Sequence, residues 1–286
     1  MTNKIQLVSP IIHKPLKLYG NKYINDLEEF EIIDDIPNFY CQDKLIKQQP
    51  PYPQNDYDLD KWFSEIYSEA YNTIDNRSIF FKYGHDFGYL LIRKWLKEKS
   101  KISIADAGCG VGRLLDELNL DIFENYYGFD VNQKSLTLAK QKYPELNFIR
   151  ASIDALPLPN SCLDYFVSIY TLELILNLSF ACYEIIRVLK NNGELWASIP
   201  IEESKLMGII RKLTSCRTLK KKYNIDFAKI MFFDHLNYAN QIIRTLSYFF
   251  DITYINYFPF QIPVYSINLV ITIKAKIKPY LKKSGE

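Results

Sequence analysis

Residues 104–113 read Ile-Ala-Asp-Ala-Gly-Cys-Gly-Val-Gly-Arg, an apolar stretch that runs directly into three alternating glycines. No other segment restricts the fold as much. Gly108, Gly110 and Gly112 lack a Cβ, so the backbone can take left-handed angles that other residues resist. A ligand can then rest against bare peptide groups, as in the crevice at the carboxyl edge of an open parallel sheet. Leu114 and Leu115 are expected to open a helix whose unpaired N–H groups face the same crevice. The plainer reading of the loop is a tight packing turn without a ligand. The spacing G-x-G-x-G followed by Arg113 departs from the G-x-G-x-x-G of a dinucleotide site, which disfavours a nicotinamide-dependent oxidoreductase.

The downstream segments narrow the choice. Twenty-two residues after Gly108, the run Tyr-Tyr-Gly-Phe-Asp at 126–130 reads as a second buried strand ending in a carboxylate. In a parallel sheet that puts Asp130 beside the glycine loop, where an acid can accept both hydroxyls of a ribose. Asp130 as N-cap of a helix over 132–142 is the other reading, and the two are compatible. Residues 163–170, Leu-Asp-Tyr-Phe-Val-Ser-Ile-Tyr, have the apolar character of a strand buried on both faces.

In this order the segments resemble the class I S-adenosylmethionine-dependent methyltransferases, of the type 11-like kind. The run 106–113 looks like that family's first motif, and the resemblance implies that Asp106, Gly108, Cys109, Gly110 and Gly112 hold the cofactor. Asp130 takes the ribose-binding position by the same resemblance, with Val131 beside it. Residues 147–159 are similar to the family's adenine-side loop, aligned by Pro157 and Pro159. The acid that usually meets the adenine amino group falls on Ser152, an uncharged acceptor that makes a weaker bond. Asp154 is the substitute, and Ile153 would supply an apolar contact and a backbone N–H. Tyr170 completes the implied cofactor set. Leu174 stands where the family often has a histidine after Leu-Glu, which removes the usual general base and leaves His85 and His235 for that role. Residues 186–200 match the family's helix, glycine turn and fifth strand. The implied fold is α/β: a Rossmann-like, doubly wound seven-stranded sheet with an antiparallel last strand. Helix over 240–249 and strands over 252–258 and 268–276 are expected to close it.

The first 47 residues form a separate β-rich block with three short strands expected. It is similar to a small zinc-ribbon-like domain found before some methyltransferases of this type. Ser9 occupies the place of its first cysteine, however, and His13 is the nearby ligand type. One histidine cannot complete a four-ligand zinc site, so the block is read as a metal-free relic, or as an ordinary N-terminal meander. Residues 48–58 are proline-rich and polar and read as a linker to a methyltransferase domain over 59–286. After the linker, Trp62, Phe63, Ile66, Tyr67 and Tyr71 recur at helical spacing. Such a stripe is usually core, but in the family an aromatic helix here caps the cofactor, so Tyr67 and Tyr71 enter the candidate substrate set with His85 and Tyr238.

Residues 201–235 depart from the core pattern and read as a helical lid insertion. From 205 to 222 there are seven Lys or Arg and no acid, with Leu206, Ile209, Ile210 and Leu213 on one helical face. A solvated face is the plain reading; recruitment of an anionic substrate, carrier or membrane surface is the sharper one. Net charge is only +2, which gives no global nucleic-acid signature, and the five scattered cysteines fit reduced thiols in the cytoplasm. No long apolar run points to a membrane span or signal region. The expectation is a methyltransferase for a small-molecule or lipid-like acceptor, since Ser-Ile-Tyr-Thr at 168–171 replaces the Asn or Asp-Pro-Pro-Tyr motif of amino methyltransferases. A nucleic-acid methyltransferase using the basic lid, and a binding protein that has lost catalysis, are the alternatives.

Overall fold

A computed structural model describes residues 5–40, 79–213 and 215–282. The linker at 48–58 and the aromatic segment containing Tyr67 and Tyr71 lie outside the described residues. The amino-terminal block holds strands β1 (Lys17–Tyr19), β2 (Lys22–Ile24), β3 (Glu29–Ile33) and β4 (Ile36–Pro37), joined as a four-stranded antiparallel sheet. Helix α1 (Ile79–Leu96) leads into the main sheet of β5 (Ile102–Ala107), β6 (Phe123–Asp130), β7 (Asn147–Arg150), β8 (Leu163–Ile169), β9 (Leu189–Pro200), β10 (Phe250–Phe258) and β11 (Val270–Ile277). Their order is β10-β11-β9-β8-β5-β6-β7. The five strands from β5 to β9 run parallel, and β11 lies antiparallel to both β9 and β10.

Strand β5 shows why the sheet is doubly covered. Alternate residues point to opposite faces: Ile102 and Ile104 pack with Ile92 and Leu96 of α1, while Ala105 and Ala107 belong to the other core layer. That second layer is closed by α3 (Leu178–Val188) and α7 (Ala239–Phe249). Helix α2 (Gln133–Lys142) completes the first, capped by the Asn132 side chain, which accepts from Ser135 N. Capping therefore falls to Asn132 and leaves the Asp130 carboxylate to other partners.

The helix expected after the glycine loop does not form. A single 3-10 turn, Arg113–Leu115, is followed by Glu117 at φ 66° and a second turn, Leu120–Ile122, that enters β6. Leu114 and Leu115 are drawn into the core beneath α1, and Arg93 of that helix takes up carbonyls a continued helix would have paired. Its Nε donates to Leu114 O at 3.1 Å and its Nη2 to Arg113 O. Asp116 is claimed by Lys142 and by the Tyr143 hydroxyl at 2.6 Å. A tertiary arginine contact thus does the work of the missing helical turn.

The amino-terminal sheet is sewn to the main domain. Phe39 N donates to Arg150 O and Val8 N to Pro157 O, while Leu7, Leu16, Phe30 and Phe39 share a core with Leu156 and Leu158. The Ser9 hydroxyl, buried, accepts from Ile11 N and Ile12 N and so closes a turn. His13 Nε2 lies 3.9 Å from Glu184 Oε1. Among the described residues, no group of three His, Cys, Asp or Glu side chains is placed to hold a metal.

Between β9 and α7 the chain forms α4 (Lys205–Leu213), α5 (Ser215–Tyr223) and α6 (Phe227–Asp234). The expected apolar face of α4 divides. Met207, Leu206 and Ile210 pack on Leu269 and Val270, whereas Ile209 and Leu213 are 58% and 57% exposed. Those two residues sit at the edge of the stripe, and the narrow ledge formed by the start of β11 covers only its centre.

Candidate functional site

The carboxyl ends of β5, β6 and β8 meet around the glycine loop. Gly108, Gly110 and Gly112 all have positive φ, 76°, 51° and 79°. What surrounds them differs. A Cβ on Gly108 would lie 1.9 Å from Thr171 Oγ1, and one on Gly112 would lie 3.0 Å from the Tyr143 ring. A Cβ on Gly110 would meet nothing within 4 Å among the described residues. Two glycines therefore permit close packing, and the middle one faces open space. Cys109 turns its buried thiol inward toward Gly128, while its N–H and that of Gly108 both donate to Phe129 O. Burial first, then the charges of Asp106 and Asp130, push that thiol well above its ordinary range.

Asp130 holds the loop from the next strand. One carboxylate oxygen accepts from Gly110 N at 2.9 Å and the other from Asn132 N at 2.8 Å. Burial raises its pKa, against the donations from Asn132, Gly110 and Val131. A carboxylate oxygen has capacity for more than one donor, so these two bonds do not exhaust the acceptor capacity of Asp130. Asp106 lies deeper, with one oxygen receiving the Tyr126 hydroxyl at 2.9 Å. Burial pushes it up to about 7, the Tyr126 bond opposing and the Asp130 charge adding to the rise.

The segment 151–159, expected to meet an adenine, follows β7 and is braced from α3. Leu156 N donates to Glu184 Oε2, and Arg187 donates to Leu156 O, Leu158 O and Asn160 Oδ1 while pairing with Glu184. Ser152 is half-buried and Ile153 buried, and Val131 opposite is 45% exposed, an apolar surface next to the loop. Asp154 Oδ1 is buried with no hydrogen-bond partner among the described residues.

At the end of β8, Tyr170 takes φ 55° and turns its ring against Tyr89 at 6.0 Å. Gly88 is what lets α1 come so near: a Cβ there would lie 2.8 Å from the Tyr170 hydroxyl and 2.5 Å from Ser198 Oγ. Leu174 lies in a 3-10 turn, Leu172–Leu174, whose Glu173 carbonyl receives Leu236 N and Asn237 N. Asn237 also donates to Leu172 O and Ile175 O, so the end of the 201–235 segment is latched to the end of β8.

His235 sits in that return, its Nδ1 3.0 Å from Glu202 Oε1. Arg211 meets the same carboxylate through both terminal nitrogens. Burial pushes Glu202 up, but Arg211 and His235 outweigh it and hold the carboxyl well below the usual range. Tyr238 is exposed at the start of α7. His85 lies on α1, its side chain outside the described residues. Sequence reasoning missed Glu202, Asn237 and Arg187, because each acts through a partner far along the chain and belongs to no local motif.

Residues 105–197, from β5 through most of β9, match the family model described as a methyltransferase domain. The chain is similar to a ubiquinone/menaquinone biosynthesis C-methyltransferase, UbiE, of Campylobacter jejuni, 28% identical over 143 residues. That alignment covers 46% of this chain and 60% of the relative. The same enzyme from another strain is 32% identical over 103 residues, 34% of this chain and 44% of the relative. The chain thus spans less than two thirds of the curated relatives it matches. Among solved structures, a Thermotoga maritima S-adenosylmethionine-dependent methyltransferase, a possible histamine N-methyltransferase, superposes with TM-score 0.51 and 17% identity over 76% of this chain and 100% of that one. A Pyrococcus horikoshii protein superposes with TM-score 0.51 and 16% identity over 74% and 98%. The fold is that of the class I methyltransferases.

Proposed function

We propose that this chain transfers the methyl group of S-adenosylmethionine to a small-molecule or lipid-like acceptor. One observation carries the reading: the middle glycine of the loop, Gly110, has an unfilled position beside it, and its own N–H is bonded to the Asp130 carboxylate. This is a backbone cradle with an acid at its rim, and a nucleoside fits both. Gly108 and Gly112 set the loop's shape, Asp130 accepts the ribose hydroxyls, Ser152 and the Ile153 N–H meet the adenine edge, and Val131 lies against its face. Cys109 fixes the loop through its N–H to Phe129 O and its carbonyl, which accepts from Gly112 N, and Asp106 supports the loop from below. Tyr170 closes the methionine side.

When bound, S-adenosylmethionine supplies a methyl group made electrophilic by its sulfonium, so the protein's task is to align the acceptor and exclude water. The lid does the second, held shut by Glu202 with Arg211 and by Asn237. Alignment falls to Tyr67, Tyr71, His85 and Tyr238, and a weakly nucleophilic acceptor draws on His85 or His235 as base. The pairing of His235 with Glu202 fits a positioning role as well. Relatives named for a carbon methylation in ubiquinone and menaquinone biosynthesis support a small apolar acceptor. No helix among the described residues is long and apolar enough to cross a membrane, and a cytoplasmic enzyme is our reading.

Calorimetric titration with S-adenosylhomocysteine, followed by labelled-methyl transfer into metabolite and lipid extracts, tests the proposal. Micromolar binding and a labelled product are expected. Binding without transfer to either extract favours a methyltransferase-fold binding protein, the reading kept in view by Ser152 and Leu174. A chain that binds no nucleoside sinks both.

A further inference from the structure

The edge of the sheet that carries the glycine loop also carries an apolar surface the methyl-transfer reading leaves unused. Strand β9 ends there at Pro200 and leads to α4, while β11 begins there opposite it, Val270 pairing with Pro200. The connection from β10 to β11 therefore emerges next to α4, and the two touch through the turn Tyr265–Ile267, where Ser204 Oγ donates to Ser266 O. On these two neighbouring elements Ile209, Leu213, Phe260, Ile262 and Val264 are exposed, each by more than two fifths and Phe260 by 55%.

Their exposure is built into the fold. Asn268, fully buried, accepts from Phe260 N and donates to Ile262 O and Val264 O, so one side chain staples the loop from beneath and turns its apolar residues outward. A slack loop would fold such residues against the protein; this one is braced with them out. Around them cations outnumber acids. Lys205 and Lys212 flank Ile209 on α4, and Arg217, Lys220 and Lys221 are exposed on α5. The nearby acids are already engaged: Glu202 with Arg211 and His235, Glu203 with the N–H groups of Ala239 and Asn240, and Asp226 with those of Ala228 and Lys229. With a net charge of only +2 on the whole chain, this concentration is local.

We propose that α4, α5 and the Phe260–Val264 loop form a docking surface for an anionic lipid bilayer. Apolar side chains ringed by lysines suit the boundary between headgroups and acyl chains, where hydrocarbon contact and attraction to anionic headgroups act together. A polyanion such as RNA would use the cations and leave five apolar side chains against water. The surface borders the crevice, so a lipid-like acceptor would enter from the membrane without crossing bulk solvent. That delivery rests on the methyl-transfer reading; the docking itself does not.

The test is co-sedimentation of the full chain with vesicles of phosphatidylcholine alone and of phosphatidylcholine mixed equally with phosphatidylglycerol. Binding to the mixed vesicles at low salt and little to the neutral ones is expected. The pair Ile209→Ser and Phe260→Ser should weaken it about tenfold or more, and the pair Lys220→Ala and Lys221→Ala by a similar factor. All four side chains are exposed, and thermal unfolding and S-adenosylhomocysteine titration of each variant check that the fold is kept. The proposal is overturned if the mixed vesicles are not bound, or if the serine pair binds them like the parent. It also fails if RNA is bound more tightly than the vesicles, or if the serine pair dissolves a dimer seen by sedimentation velocity. Vesicle binding by a chain that takes no nucleoside overturns the methyl-donor reading alone.

Discussion

Replacing Gly110 and Gly108 by alanine separates the ligand cradle from the packing that supports it. Both positions have left-handed angles, φ 51° and 76°, so each alanine brings a strain of about 1–2 kcal/mol. The loss of glycine's freedom in the unfolded chain offsets about 0.4–1 kcal/mol of that. At Gly110 no described residue lies within 4 Å of the new methyl, so no packing penalty is added. Net destabilisation is then about 1 kcal/mol, roughly 2–4 °C in Tm for a domain of this size. The methyl nevertheless occupies the space assigned to the nucleoside, and an overpacking cost of about 1–3 kcal/mol in the complex weakens S-adenosylhomocysteine binding about ten- to a hundredfold.

At Gly108 the balance reverses. The methyl would come within 1.9 Å of Thr171 Oγ1 and 2.7 Å of its Cγ2, so the loop or the end of β8 must move. Overpacking adds about 1–3 kcal/mol to the backbone strain, and Gly108→Ala is the less stable variant by that margin. Thr171→Gly in the Gly108→Ala background removes the clash and should recover part of the loss, which a double-mutant cycle reads directly. Calorimetry and thermal unfolding on the two single variants suffice for the main comparison. Parent-like nucleoside affinity in Gly110→Ala would refute the placement of the ligand, and equal stabilities would refute the packing role of Gly108.

Asp106 makes stability depend on pH. With its pKa pushed from 3.8 up to about 7, the folded state holds the proton more tightly than the unfolded chain does. Stability is therefore full below about pH 4 and falls by about 4 kcal/mol as pH rises through 7. Asp106→Asn, which still accepts from Tyr126, should remove that decline in urea titrations run at pH 5 and 8; an unchanged decline assigns it elsewhere. Arg187→Ala strips Leu156 O and Leu158 O of their guanidinium donor and leaves Glu184 without its arginine partner, costing about 2–4 kcal/mol and loosening nucleoside binding. A stability loss without any change in affinity would show that the 151–159 loop does not touch the ligand. Glu202→Gln breaks the pairing with Arg211 and His235, for about 3–5 kcal/mol, and protease should then cut the 201–235 segment first. Cleavage elsewhere would mean that these contacts do not hold that segment.

The glycine loop, the Asp130 strand end and the proline-marked segment were legible because each is a local signal. A glycine with positive φ, an acid at a strand terminus and a proline at a bend are fixed by near neighbours. The terminal helix and hairpin were also placed within about two residues, since their apolar periods match the elements that form. The helix expected after Gly112 was the instructive failure. Leu114 and Leu115 suit a helix, but a packing surface and the Arg93 guanidinium were supplied by α1, some twenty residues upstream, and no local pattern records that.

By itself, then, the sequence determined that a strand must turn through a glycine loop beside a carboxylate, and with that the class of sheet. The tertiary structure decided which of the three glycines has open space beside it among the described residues, since the positions of Thr171 and Tyr143 separate Gly108 and Gly112 from Gly110. It decided too that the amino-terminal sheet shares the main core, and that Ile209 and Leu213 face solvent despite their place in an apolar stripe. Backbone conformation is set by neighbours along the chain, whereas burial is set by whatever the fold brings alongside.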